Sequence, residues 1–145
     1  MNDLPDRPTP RTVPKEILAF NVSAAARKKA IEDGLLIDVS QVAWDAGFSS
    51  PTFVTASVWN DCVAWTADDD ARQVHQDQQE RLWNLLIMAW VGVRTNLKAR
   101  GSVAFRLLRI PRDGHSKDAQ TVLLKIVLSR ADGTRLLTIL QPDED

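Results

Sequence analysis

A chain of 145 residues, 44% hydrophobic and 26% charged, has the size of one ordinary domain and enough apolar side chain to bury a core. Its net charge of −1 hides an uneven spread: residues 1–93 hold 8 basic and 13 acidic side chains, residues 94–142 hold 10 and 3, and Asp143, Glu144 and Asp145 close the chain. A lone Cys62 excludes an internal disulfide, the absence of tyrosine excludes a tyrosyl nucleophile, and no apolar run reaches the roughly 20 residues that cross a bilayer.

Residues 1–20 carry Pro5, Pro8, Pro10 and Pro14. Each proline fixes φ, lacks a donor and biases its predecessor toward extended backbone, so this stretch reads as an extended or disordered arm. Residues 21–145 read as a single α+β domain. The opening residues have no charged-then-apolar leader and the cysteine is unpaired, so the expected compartment is the cytoplasm.

Ser23, a preferred N-cap, precedes the alanine-rich stretch 24–33, and Gly34 suits the left-handed position after a helix. Residues 35–39 (Leu-Leu-Ile-Asp-Val) read as a brief strand or connector. Ser40 is placed to cap a second short helix over 41–46, ended by Gly47. Ser50-Pro51 resembles a cap followed by proline at the first helical position, and Val54, Val58, Cys62 and Trp65 then recur at helical spacing. Thr66 can cap the next helix. Asp68, Asp69 and Asp70 sit where the positive end of its dipole favours carboxylates, which explains the run without a metal.

The centre of the chain is the run from Leu82 to Val93, interrupted only by Asn84 and Gly92. Too short for a membrane and apolar on every side, it reads as a buried core helix that begins near Asp69 as a one-sided stripe. Trp83 and Trp90 fit its core more readily than a stacking platform. Beyond Arg100-Gly101-Ser102, residues 103–110, 122–128 and 136–140 read as strands, the last two joined at Asp132-Gly133, a dipeptide suited to tight hairpins. The expected fold is α+β: N-terminal helices and one long central helix packed on a three-stranded antiparallel sheet.

The usual catalytic grammars are missing: there is no glycine-rich phosphate loop, paired cysteines, metalloprotease helix or glycine-flanked serine. Cys62 lies on an apolar stripe and reads as core, and Asp45 and Asp61 as solvated carboxylates. A metal site built from His75 with Asp68 or Asp69 lacks a defined ligand set. The expectation is a non-enzymatic protein with no cofactor. Its surface candidates are an acidic face, Asp68, Asp69, Asp70, Asp77 and Glu80, which could occupy a basic groove of a partner protein by imitating phosphates. The alternative is nucleic-acid binding through Arg94, Lys98, Arg100, Arg106, Arg109, Arg112 and Lys117. An exposed tryptophan or open sheet edge would leave a homodimer open.

Two stretches carry a resemblance: Ala26-Arg27-Lys28-Lys29-Ala30-Ile31-Glu32-Asp33-Gly34-Leu35-Leu36-Ile37-Asp38-Val39-Ser40, continuing to Ala46-Gly47-Phe48, and Val54-Thr55-Ala56-Ser57-Val58-Trp59-Asn60-Asp61-Cys62-Val63. With the ending Leu140-Gln141-Pro142-Asp143-Glu144-Asp145, residues 24–145 resemble an uncharacterised family of small proteins carried on bacterial plasmids, phages and other mobile elements. The resemblance implies a mobile-element accessory protein, and by association an inhibitor of host defence such as CRISPR or restriction enzymes; it implies no role for individual residues.

Overall fold

The computed structural model describes residues 23–96 and 101–144. The proline-rich arm over residues 1–20 lies outside them, as do Lys98 and Arg100.

The chain opens as expected. Helix α1 (Ala24–Glu32) is capped by Ser23, whose Oγ accepts from the Ala26 N–H, and Gly34 follows at φ +77°. Strand β1 (Leu36–Asp38) leads into α2 (Ser40–Ala46). Ser40 is not its cap. Asp38 Oδ1 instead accepts from the Ser40 N–H, and Ser40 Oγ accepts from the Thr52 N–H at 3.0 Å, joining α2 to the next strand.

That strand, β2 (Thr52–Thr55), replaces the first half of the helix expected from Pro51 to Trp65. All four of its side chains are buried. A strand covered on both faces loses its apolar–polar alternation, so spacing alone cannot distinguish it from buried helix. Helix α3 (Ala56–Val58), capped by Thr55, then widens into a turn over Trp59–Val63, closed by a bond from the Ala64 N–H to the Trp59 carbonyl at 2.8 Å.

The long central helix is also two pieces. Helix α4 (Ala67–Arg72) ends at Gln73, and α5 (Gln78–Thr95) starts afresh on Asp77, whose carboxylate accepts from the Gln79 N–H. Leu82, Leu85, Leu86 and Ala89 are buried, but Trp83 is 42% exposed and Val91 41%. The helix is thus covered on one side and bare on the other, not enclosed.

Strands β3 (Ser102–Arg109), β4 (Gln120–Ala131) and β5 (Thr134–Leu140) follow where the apolar runs place them. Asp132 and Gly133 take φ of +51° and +82°, which closes the β4–β5 hairpin. The sheet is not three antiparallel strands but five in mixed orientation, in the order β1-β2-β5-β4-β3, with β2 parallel to β5 and the other neighbours antiparallel. Strand β2 lies beside β5 by a contact 85 residues distant in sequence (Val54 opposite Ile139).

Helices α2 and α5 cover one face over the main core, which includes Val54, Leu85, Leu107, Leu124 and Ile139. A smaller cluster of Leu36, Phe53, Val127, Leu136 and Leu140 lies with Ala30 of α1 on the other face. Helix α5 runs close along β3: a Cβ on Gly92 would stand 2.8 Å from Phe105 Cβ, and Asn84 Nδ2 donates to the Leu108 carbonyl.

Candidate functional site

Sequence reasoning passed over a buried polar cluster. Arg81 occupies the same helical row as Leu85 and Ala89, and it is only 7% exposed. Its Nε donates to the Val63 carbonyl at 3.1 Å, Nη1 to the Ile110 carbonyl and Gln76 Oε1 at 3.1 Å, and Nη2 to the Asp61 carbonyl at 3.2 Å. Its guanidinium lies 4.6 Å from the Trp65 ring centre. The wide turn at Trp59–Val63 thus directs two carbonyls at a cation on α5, and that cation also holds the end of β3. A charged residue in an otherwise apolar helical row was the available signal.

Asp61 is not a solvated carboxylate. Arg109 Nη2 donates to both its oxygens, at 3.2 and 3.0 Å, and Gln141 Nε2 reaches it at 3.4 Å. Cys62 beside it is buried, and burial, reinforced by the Asp61 charge, pushes its thiol up to about 12. A thiol held neutral is no nucleophile at ordinary pH. An open cleft of about 250 Å³ borders this cluster, lined by Cys62, Glu80, Arg81, Asn84 and Arg109.

The acidic face is largely committed within the fold. Asp69 is buried: it closes a reciprocal cap with Thr66 and pairs with Arg112 Nε at 2.7 Å. Burial opposes its charge, yet the Thr66 N–H and the Arg112 guanidinium hold its pKa below the ordinary carboxylate value. Asp70 accepts from the Gln76 N–H and Trp65 Nε1, contacts His75 at 3.2 Å, and its pKa is lowered chiefly by the Gln76 N–H. Asp77 caps α5. Asp68 pairs on the surface with Arg72, and Glu80 is exposed. Among the described residues no three His, Cys, Asp or Glu side chains converge as metal ligands.

The basic set is dispersed. Arg109 and Arg112 are neutralised by Asp61 and Asp69, so the acidic and basic segments of the sequence meet each other inside the fold. Arg94 lies over Trp90 at the end of α5. Arg106 and Lys117 are exposed. Successive strand residues alternate in face, so Arg106 and Arg109 project on opposite sides of the sheet.

The remaining surface feature is the outer rim of the sheet. The Leu128 N–H donates to the Gly101 carbonyl at 2.7 Å. By the alternation of an antiparallel ladder, odd-numbered residues of β3 bond to β4, whereas Ser102, Ala104, Arg106 and Leu108 turn their backbone groups away from it. The Asn84 bond to the Leu108 carbonyl agrees with this. Beyond α1, Leu108 (58% exposed) and Leu123 (47%) stand uncovered on the outer face, with Arg106 opposite Leu123 in register. Trp83, Ile87 and Val91, four residues apart, form a stripe along α5. Among the described residues no helix is long and apolar enough to cross a membrane. Compared with protein-family models, curated proteins and solved structures, the chain matches none.

Proposed function

We propose that this chain is a non-enzymatic accessory protein of a bacterial mobile element. It acts in the cytoplasm by binding a protein, and the target class that fits best is a host-defence complex of the CRISPR or restriction kind. The observation that carries the protein-binding part is the open rim of β3, with apolar Leu108 and Leu123 around the Arg106 cation. Apart from the Leu108 carbonyl, which Asn84 holds, an edge strand of this kind offers its outward N–H and C=O groups, and natural proteins rarely leave such an edge next to exposed leucine without a use for it. The occupant is an extended segment of the partner that adds as a sixth strand, with apolar side chains against the leucines and a carboxylate against Arg106. The resemblance carried by residues 26–40, 46–48, 54–63 and 140–145 supplies the mobile-element context.

This reading moves the binding surface away from Asp68, Asp69, Asp70, Asp77 and Glu80, of which Asp69, Asp70 and Asp77 already serve the fold. The nucleic-acid alternative loses Arg109 and Arg112 to carboxylates in the same way. The test is inhibition of target-DNA cleavage by purified defence complexes. Leu108→Asp with Leu123→Asp should abolish inhibition, and Ala104→Pro, which removes an outward N–H without touching the β4 ladder, should weaken it. The paired reversal Asp68→Lys and Glu80→Lys should leave it intact. Full inhibition by the leucine variants, or its loss only on charge reversal, would refute the edge as the binding surface.

A further inference from the structure

A second cleft lies at the other end of α5, away from Leu108 and Leu123. Helix α5 stops at Thr95 and α2 stops at Ala46, so among the described residues no helix covers the inner face of β3, β4 and β5 beyond them. The result is a cleft of about 460 Å³ with the half-buried Val103, Leu128 and Leu137 and the edge of buried Ile126 in its floor, and Phe48 and Trp90 in its walls. Gly47 carries φ +121°, and a Cβ there would stand 2.5 Å from Trp90 Nε1; this wall exists because position 47 has no side chain.

The charge of the lining is one-sided. Among the described residues its lining includes Arg94 and Arg135, Ser49 and Ser50, and no carboxylate. Elsewhere in the molecule Arg72, Arg109 and Arg112 each hold an aspartate. Among the described residues Arg94 meets the Trp90 ring, at 4.7 Å, and no carboxylate, and Arg135 is exposed. The carbonyl end of α5, which would repel an anion, is already occupied by its own chain: Asn96 Nδ2 donates to the Gly92 carbonyl at 2.8 Å, and Thr95 Oγ1 to Val91 at 3.0 Å. Two cations without carboxylates above an apolar floor are the complement of a molecule with a greasy body and one anionic head.

We propose that this cleft binds a small amphipathic anion, an aromatic or acyl body bearing a carboxylate or phosphate. Its head sits between Arg94 and Arg135, and its body lies on Ile126, Leu128 and Leu137. The volume falls within the range of small-molecule pockets, roughly 300–1,000 Å³.

The test uses the full chain and the fluorescent anion 8-anilinonaphthalene-1-sulfonate, read by its own emission and by energy transfer from tryptophan. Saturable binding of one probe per chain is expected. Decanoate and decyl phosphate should displace it, and whichever does so at lower concentration identifies the head group. Decanol and inorganic phosphate should displace it at least tenfold less well. Arg94→Gln with Arg135→Gln should weaken probe binding at least tenfold. Both side chains are on the surface, so an unchanged circular dichroism spectrum and melting temperature separate loss of the site from loss of the fold. Equal binding by the double variant, equal displacement by decanol, or no saturable binding by the parent chain would each overturn the proposal.

Discussion

Replacing Arg81 by methionine tests whether the buried guanidinium holds the wide turn to the sheet. The substitution keeps length and apolar contact with Trp65 but leaves the carbonyls of Asp61, Val63 and Ile110 without their donor. Each orphaned buried acceptor costs about 1–3 kcal/mol. Against that, the cation no longer has to be kept out of water, a cost reflected in burial pulling the Arg81 pKa down. Taking these together, the expected loss is about 3–5 kcal/mol, a large share of the roughly 5–15 kcal/mol that holds a domain folded. For a chain of this size that corresponds to a fall in Tm of about 10–15 °C. Arg81→Lys retains the charge, but a single ammonium cannot span three carbonyls, and it should recover less than half of the loss. Urea unfolding at neutral pH measures both, with the denaturant slope checking that unfolding stays two-state. An Arg81→Met variant within about 1 kcal/mol of the parent would refute this account of the cluster.

Three other outcomes follow from the same geometry. Asp69 has a depressed folded pKa, so its contribution is fully present above the unfolded value, about 3.9, and is lost as pH falls through the lower folded one. Asp69→Asn should therefore lose stability at pH 7 and converge on the parent as pH falls below the ordinary carboxylate range, and parallel pH curves for the two proteins would contradict this. Cys62, with its thiol near 12, should resist a disulfide-exchange reagent at pH 8 in the native chain and react within minutes in urea; native labelling at the unfolded rate would show it to be accessible. Gly47→Ala should cost about 1–3 kcal/mol, because it combines positive φ with a methyl driven into Trp90, and should alter the near-ultraviolet dichroism of the indole. Unchanged stability and dichroism would mean that Trp90 does not rest on that glycine.

Local chemistry is what the sequence expressed well. Ser23 and Gly34 bracket α1, Thr66 with Asp69 starts α4, and Asp132-Gly133 turns the hairpin, because caps and tight turns depend on residues within a few positions of one another. The buried row of α5 and the alternation of β3 were legible for the same reason. What tertiary structure decided were the pairings made across long stretches of chain. Residues 52–55 have no alternation to mark a strand and become one only because β5 lies beside them. Arg81 satisfies carbonyls 18, 20 and 29 residues away, and Asp61 and Asp69 meet arginines 48 and 43 residues on. The charge imbalance between the two halves therefore became internal ion pairs at these positions, while the open β3 rim and the cleft beyond α5 were set by where helices stop, a property of packing rather than of any residue's neighbours.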